Sequence, residues 1–336
     1  MSEKSGKIWV HAEVVEDKIV NVAFELLSKA RDLAEAMGGG TEVEATLIGS
    51  GLEKEAARLA EWGAKTIYLA DDPGLRMYSP LTFVPILADL AAKHQPEIYL
   101  IGATSTGSAL GPAVAARLKT GTAAHCVDLR IDEEKKLVSL VPSFGGKVIG
   151  EILCPGKNPQ MASVKPGIFT KKDPVPVPVR IEKLDASSWE KIDTQGLKPV
   201  NVVRRPPQGL PLNEADVVVC GGFGIGSQEN WQLLEKLAQY LGGATACTRP
   251  AVDEGWSGEH CMVGTSGQSI RPKVYIGFGI SGATHHICGM NESGVVINVN
   301  RDAEAPIFQV SDVRIVAEVN SILPLLAEAV KPKASW

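Results

Sequence analysis

The stretch Asp216–Cys247, DVVVCGGFGIGSQENWQLLEKLAQYLGGATAC, decides the architecture of the second half of this chain. Three valines and a cysteine make a short apolar run of the kind a buried strand needs, and a glycine-rich turn follows. NWQLLEKLAQYLGG then reads as an amphipathic helix closed by glycines, and ATAC as the next strand. Gly222, Gly224 and Gly226 sit where a nucleotide-binding βαβ unit needs close backbone approach and a helix N-terminus facing phosphate. A unit built for NAD places Asp or Glu about twenty residues further on, to hold the ribose hydroxyls. Here that strand runs out into Thr248 and Arg249. A guanidinium at this point suits pyrophosphate or another anionic group, and a conventional NAD site is disfavoured.

Working towards the N-terminus, strand and helix signals alternate. Ile8–Val14, Val43–Ile48, Thr66–Ala70 and Ile98–Gly102 read as strands, with helices over Val22–Met37, Leu52–Trp62 and Leu81–Lys93 between them. Such alternation implies right-handed crossovers and a doubly wound parallel sheet. GATSTGSALGPAVAARLKTG, which follows Ile101, puts small hydroxyl residues at a strand's carboxyl end. That is either a ligand loop or a helix cap with a tight turn. From Cys126 to Thr170 four short extended runs, CVDLRID, KLVSLVPSF, KVIGEILCP and QMASVKPG, suggest a small β extension. The proline density of the segment 173–212 excludes a central strand and marks a wrap or linker. The resulting expectation is α/β with two domains: an N-terminal doubly wound domain over 1–190, a proline-rich linker over 191–211, and a C-terminal Rossmann-like doubly wound domain over 212–336.

The chain has 336 residues, 44% hydrophobic and 22% charged, with a net charge of −5. These values fit a globular protein of two cores and give no basic surface for nucleic acid. No apolar run is long enough to span a bilayer, and MSEKSGKIWVHAEV has no apolar targeting core, so a cytoplasmic protein without membrane insertion is expected. The six cysteines form no CxxC pair and read as reduced, buried residues. A metal site built on His260–Cys261 and His285 or His286 with Cys288 lacks the usual ligand spacing, so no metal is expected. No catalytic triad, GxSxG elbow or GxxxxGK[ST] loop occurs, and no catalytic residue is assigned.

The C-terminal half holds more loops of one chemistry. MVGTSG (262–267), GISGATHH (279–286) and NVNRD (298–302) follow strand-like segments and bring Ser, Thr, His, Asn and Arg to one sheet edge. In YIGFGISGATHHICGM (275–290) the loop aims backbone N–H groups and an imidazole at one small volume, as an anionic phosphate or a redox ring requires.

PAVDEGW (250–256), VGTSG (263–267), RPKVYIGFGISGATHH (271–286) and NVNRDAEAPIFQVSD (298–312) resemble the alpha subunit of electron-transfer flavoproteins. GATSTGSALGPAVAARLKTG and CPGKNPQMASVKPG extend the resemblance over nearly the whole chain. The resemblance implies a heterodimer with a beta subunit and one FAD on the C-terminal domain. It further implies an electron carrier, without substrate chemistry of its own, that serves flavin dehydrogenases such as the acyl-CoA dehydrogenases of fatty acid β-oxidation and passes electrons towards a quinone-linked oxidoreductase. A flavin-based, NADH-oxidising, electron-bifurcating complex is the alternative within the same fold. Carried over residue by residue, the cofactor-binding set is Phe223, Thr248, Arg249, Met262, Val263, Gly264, Thr265, Ser266, Ser281, Gly282, Ala283, Thr284, His285, His286, Asn300 and Glu318. Within it Thr248 and Arg249 lie near the phosphates and ring, Ser266 at flavin N5, His286 at N1 and O2, and Asn300 and Glu318 at the adenosine half.

The chain also departs from that family's pattern. Phe223 stands where GGRG is usual, Gln268 replaces a usual lysine, and Thr265 and His285 each replace a usual glutamine. Fewer cations beside a group that becomes anionic on reduction imply an FAD of lower potential. Alternatively Phe223 only packs on the ring while another arginine, such as Arg271, enters the site.

Overall fold

The computed structural model describes residues 6–331 apart from 39, 144–147, 155, 195, 204–209 and 213–214. The run 204–209 of the expected linker thus lies outside the described residues. The chain divides into two compact units, the first reaching Val203.

The first unit is a seven-stranded parallel sheet in the order Arg180–Lys183, Thr66–Asp71, Glu42–Gly49, Lys7–Ala12, Ile98–Gly102, Gln160–Val164, Thr122–Cys126. Ile8, Val10, Leu47 and Leu100 meet Leu26, Leu27 and Ala30 of the Asn21–Met37 helix on one face. Trp9, Tyr68 and Tyr99 meet Phe83, Leu87, Leu110 and Val114 of two further helices on the other. Burial of both faces explains why these strands read as unbroken apolar runs.

Two polar residues in this core are satisfied. The Glu44 carboxylate accepts from Trp9 Nε1 at 2.7 Å and the Tyr68 hydroxyl at 3.1 Å, and His11 Nδ1 lies 3.1 Å from Thr46 Oγ1. Burial pushes His11 down to about 4.

Three of the four extended runs behave as expected: Asp128–Ile131, Leu137–Ser143 and Val148–Ile152 form a separate small sheet. The fourth does not. Gln160–Val164, from QMASVKPG, returns to the main sheet between Ile98–Gly102 and Thr122–Cys126. All five of its residues are buried, which a shallow extension could not provide. After the proline-rich run, Arg180–Lys183 joins only as an edge strand. The GATSTGS loop is a cap: Thr104 Oγ1 accepts from the Gly107 amide at 2.9 Å and donates to Glu13. Burial raises the Glu13 carboxyl.

The second unit is a five-stranded parallel sheet in the order Ala244–Cys247, Val217–Gly221, Val274–Phe278, Val295–Asn300, Val313–Val316. Ser227 caps the Gln228–Tyr240 helix through the Asn230 amide. That helix buries Trp231, Leu234 and Leu237 beside Leu323 and Ala327 of the Val319–Val330 helix, over Val219 and Phe278. On the opposite face Val218 and Tyr275 pack with Ile280, Met290, Ile307 and Phe308.

Among the described residues no helix is long and apolar enough to cross a membrane.

Candidate functional site

The chain leaves Val217–Gly221 for Ala244–Cys247 on one side and later enters Val274–Phe278 on the other. The order of strands reverses there, and an open α/β sheet forms its binding crevice beyond the carboxyl ends at such a point. A cleft of about 360 Å³ lies there. The Gly222 amide donates to Phe278 O and the Gly224 amide to Gly279 O, both at 2.9 Å, so the two turns are stitched together. A Cβ on Gly224 would come within 2.7 Å of Gly279 Cα, which is why this crossing is made of glycine.

The cleft brings together thirteen of the sixteen residues assigned from sequence: Phe223, Thr248, Arg249, Met262, Val263, Gly264, Thr265, Ser266, Ser281, Ala283, His285, His286 and Asn300. Gly282, Thr284 and Glu318 do not line it. Gly282 has φ at 89° and no room for a Cβ, which would come 2.1 Å from the Ile307 amide nitrogen. Thr284 opens the short Thr284–Ile287 helix. Glu318 is exposed and serves as N-cap of the Val319–Val330 helix, its carbonyl accepting from Ser321.

Sequence reasoning did not assign Arg301, Asp302, Ala305 or Pro306, which also line the cleft. The signal was available, since NVNRD follows a strand in a doubly wound sheet. The Asn300 side chain fixes this loop, donating to Ile280 O at 2.8 Å and accepting from the Asp302 amide at 2.9 Å. Among the described residues no carboxylate pairs with Arg301.

Arg249 begins a short helix, and its Nε donates to Asp253 Oδ1 at 2.7 Å. Phe223 is 62% exposed and stacks on Trp256, with centroids 6.4 Å apart and planes 22° from parallel. An apolar ring is thus held at the edge of the cleft. Arg271, the other candidate cation, pairs with Glu292 at 2.8 Å and is not a lining residue.

The turn 262–268 closes on itself, the Gly264 amide donating to Gln268 O and the Gln268 amide to Met262 O. Gln268 also donates through its side chain to His260 O. This leaves the Ser266 amide and hydroxyl without a partner among the described residues. Below the turn His286 is buried, with Nδ1 3.0 Å from Val263 O and Nε2 2.7 Å from the Tyr275 hydroxyl. Burial pushes its pKa down to about 4, against the opposing pull of the Val263 carbonyl. The resemblance implies an imidazole facing flavin N1 and O2; in this structure both ring nitrogens are engaged inside the chain.

An anion-friendly, glycine-lined cleft with two arginines, an unpartnered serine donor pair and an aromatic edge fits a dinucleotide carrying a flat ring. The fold and the cleft therefore define a nucleotide-cofactor-binding α/β protein. Comparison with known proteins names the group. Residues 8–205 match the model of the electron transfer flavoprotein domain, and residues 211–291 that of the electron transfer flavoprotein FAD-binding domain. The chain is 40% identical over 336 residues to an electron transfer flavoprotein subunit alpha of Megasphaera elsdenii, covering 98% of both chains. It is 39% identical over 331 residues to a subunit of the same name from Clostridium acetobutylicum, covering 96% of both. It is also 33% identical over 320 residues to the lactate dehydrogenase (NAD(+),ferredoxin) subunit LctC of Acetobacterium woodii, covering 95% of this chain and 75% of that one. The chain belongs to the electron-transfer flavoprotein alpha-subunit family. Its function is electron transfer, and its cofactor is FAD.

Proposed function

We propose that this chain forms a heterodimer with a beta subunit and that its own FAD lies in the cleft at the strand reversal. The observation that carries this reading is the convergence of Arg249, Arg301 and the unpartnered Ser266 donors on one glycine-lined crevice. FAD supplies the redox chemistry; the protein binds, orients and shields it. Arg249 and Arg301 answer the pyrophosphate charge, and the Ser266 amide and hydroxyl are donors for a ring nitrogen or oxygen. Phe223, backed by Trp256, covers a flat face without adding charge.

The electron donor on this reading is a flavin dehydrogenase such as an acyl-CoA dehydrogenase, and the acceptor is a quinone-linked oxidoreductase. A second reading, a subunit of an NADH-oxidising bifurcating complex, is favoured by the likeness to the lactate dehydrogenase (NAD(+),ferredoxin) subunit. The cytoplasm is the proposed location.

The test is co-expression and co-purification with an electron-transfer flavoprotein beta subunit, followed by counting flavins per heterodimer. One flavin supports the simple carrier, two with bleaching by NADH support the bifurcating complex, and none overturns both.

A further inference from the structure

The five-stranded sheet of the second unit ends in Val313–Val316, which pairs on one side only, with Val295–Asn300. Among the described residues no backbone group of this strand bonds to anything else. The opposite edge of the sheet is engaged, since Cys247 bridges to Met262 and the Val263 amide donates to Cys247 O at 3.0 Å. A free row of amides and carbonyls is a template for another strand, and native edges are blunted by lysine, proline, a bulge or a covering segment. VRIV has neither lysine nor proline, and its register with Val295–Asn300 runs without a bulge. Val313 is 44% and Val316 57% exposed, so apolar surface is uncovered along with the backbone.

Register sorts the side chains. Val313 and Ile315 stand opposite Ile297 and Val299, on the face covered by the Val319–Val330 helix, while Arg314 and Val316 stand opposite Asn298 and Asn300 on the other. Arg314 is exposed, and among the described residues it pairs with no carboxylate. An open apolar edge thus carries one unanswered positive charge in its middle.

We propose that an extended segment of the beta subunit adds to this edge as a sixth strand, with apolar side chains against Val313 and Val316 and a carboxylate opposite Arg314. The inference rests on the reading that the chain works as a heterodimer with a beta subunit. Charge favours a different chain over a second copy of this one. Two copies paired antiparallel about a two-fold axis have two registers that overlap most of the strand and keep each side chain on its own face. The register centred on Arg314 sets guanidinium against guanidinium, and the one centred on Ile315 sets Asp312 against Glu318. Like charges directly opposite each other destabilise a sheet. A carboxylate on another chain removes that conflict and answers Arg314, while main-chain hydrogen bonds supply the affinity. Val316 stands opposite Asn300, which lines the cleft, so the added strand reaches the rim of the proposed FAD site.

The test begins with hydrogen–deuterium exchange of the wild-type heterodimer, which should show every amide of Val313–Val316 protected. An open edge leaves the amides that face away from Val295–Asn300 exchanging as in an unstructured peptide, and that result overturns the proposal without any variant. In an Arg314→Lys heterodimer a zero-length carbodiimide should join the new amine to a carboxylate of the beta subunit. A bond to a second copy of this chain, or no bond at all, overturns it. Arg314→Glu should weaken association with the beta subunit by about tenfold while Arg314→Lys stays close to wild type; equal association of both variants overturns it as well. Failure of the two chains to co-purify defeats the heterodimer reading and this proposal with it, whereas a stable, flavin-loaded heterodimer with an open edge defeats this proposal alone.

Discussion

Thr265 and His285 are joined twice, by the Thr265 amide donating to His285 O at 2.8 Å and by Thr265 Oγ1 standing 2.9 Å from His285 Nδ1. In sequence they are twenty residues apart and look like two independent departures from a family pattern of glutamines. In space they are one exchange, a hydroxyl–imidazole pair clamping the turn that carries Ser266 to the helix that carries His286. The pair should couple: Thr265→Val and His285→Ala, singly and together, should give an interaction of about 0.5–1 kcal/mol in a double-mutant cycle of heterodimer unfolding. Strict additivity would show that the clamp carries no energy.

Phe223 puts an exposed apolar ring, stacked on Trp256, at the edge of the cleft proposed to hold FAD. Phe223→Arg should raise the first reduction midpoint by on the order of 50 mV, as one partly desolvated charge contributes. Spectroelectrochemical titration of the heterodimer measures this, and an unchanged midpoint would place the ring outside the flavin's field.

Gly264 has φ at 146°, and a Cβ there would come 2.6 Å from His285 O. Gly264→Ala must push apart the turn and the short helix, at a cost of about 2 kcal/mol or more, and should weaken FAD retention at least tenfold. The flavin-to-protein absorbance ratio after dialysis reports it.

Arg301 is the cleft cation that sequence reading left unassigned. Arg301→Ala should weaken FAD roughly five- to tenfold and flatten the salt dependence of its dissociation, as loss of a phosphate contact does. An unaltered salt slope would remove Arg301 from the binding set.

Acid should loosen both units. His11 and His286 are buried and held down to about 4 from 6.5, so in each case the unfolded chain binds the proton first. Their neutral forms favour folding above pH 6.5, and that contribution is lost as pH falls from 6.5 towards 4, by up to roughly 3 kcal/mol for each. Urea midpoints between pH 7 and 4.5 should fall for the wild type and fall less for a His11→Gln variant that retains a neutral polar group.

Much of this molecule was legible from residue order alone, because strand and helix periodicity, glycine turns and the absence of Asp or Glu where the Ala244–Cys247 strand runs out into Thr248 and Arg249 are local facts. They yielded two parallel α/β units and most of the cleft wall. What was not local was misplaced or missed. QMASVKPG looks like another short extended run until burial on both faces draws Gln160–Val164 into the main sheet. Glu318 stands at the N-cap of the Val319–Val330 helix and does not line the cleft, whereas Arg301 reaches it on the loop that the Asn300 side chain holds. Residue order determined that histidine, serine and arginine chemistry gathers at one sheet edge. Only the tertiary structure decided its state, since the Tyr275 hydroxyl and the Val263 carbonyl, eleven and twenty-three residues from His286, take both ring nitrogens and burial keeps the ring neutral.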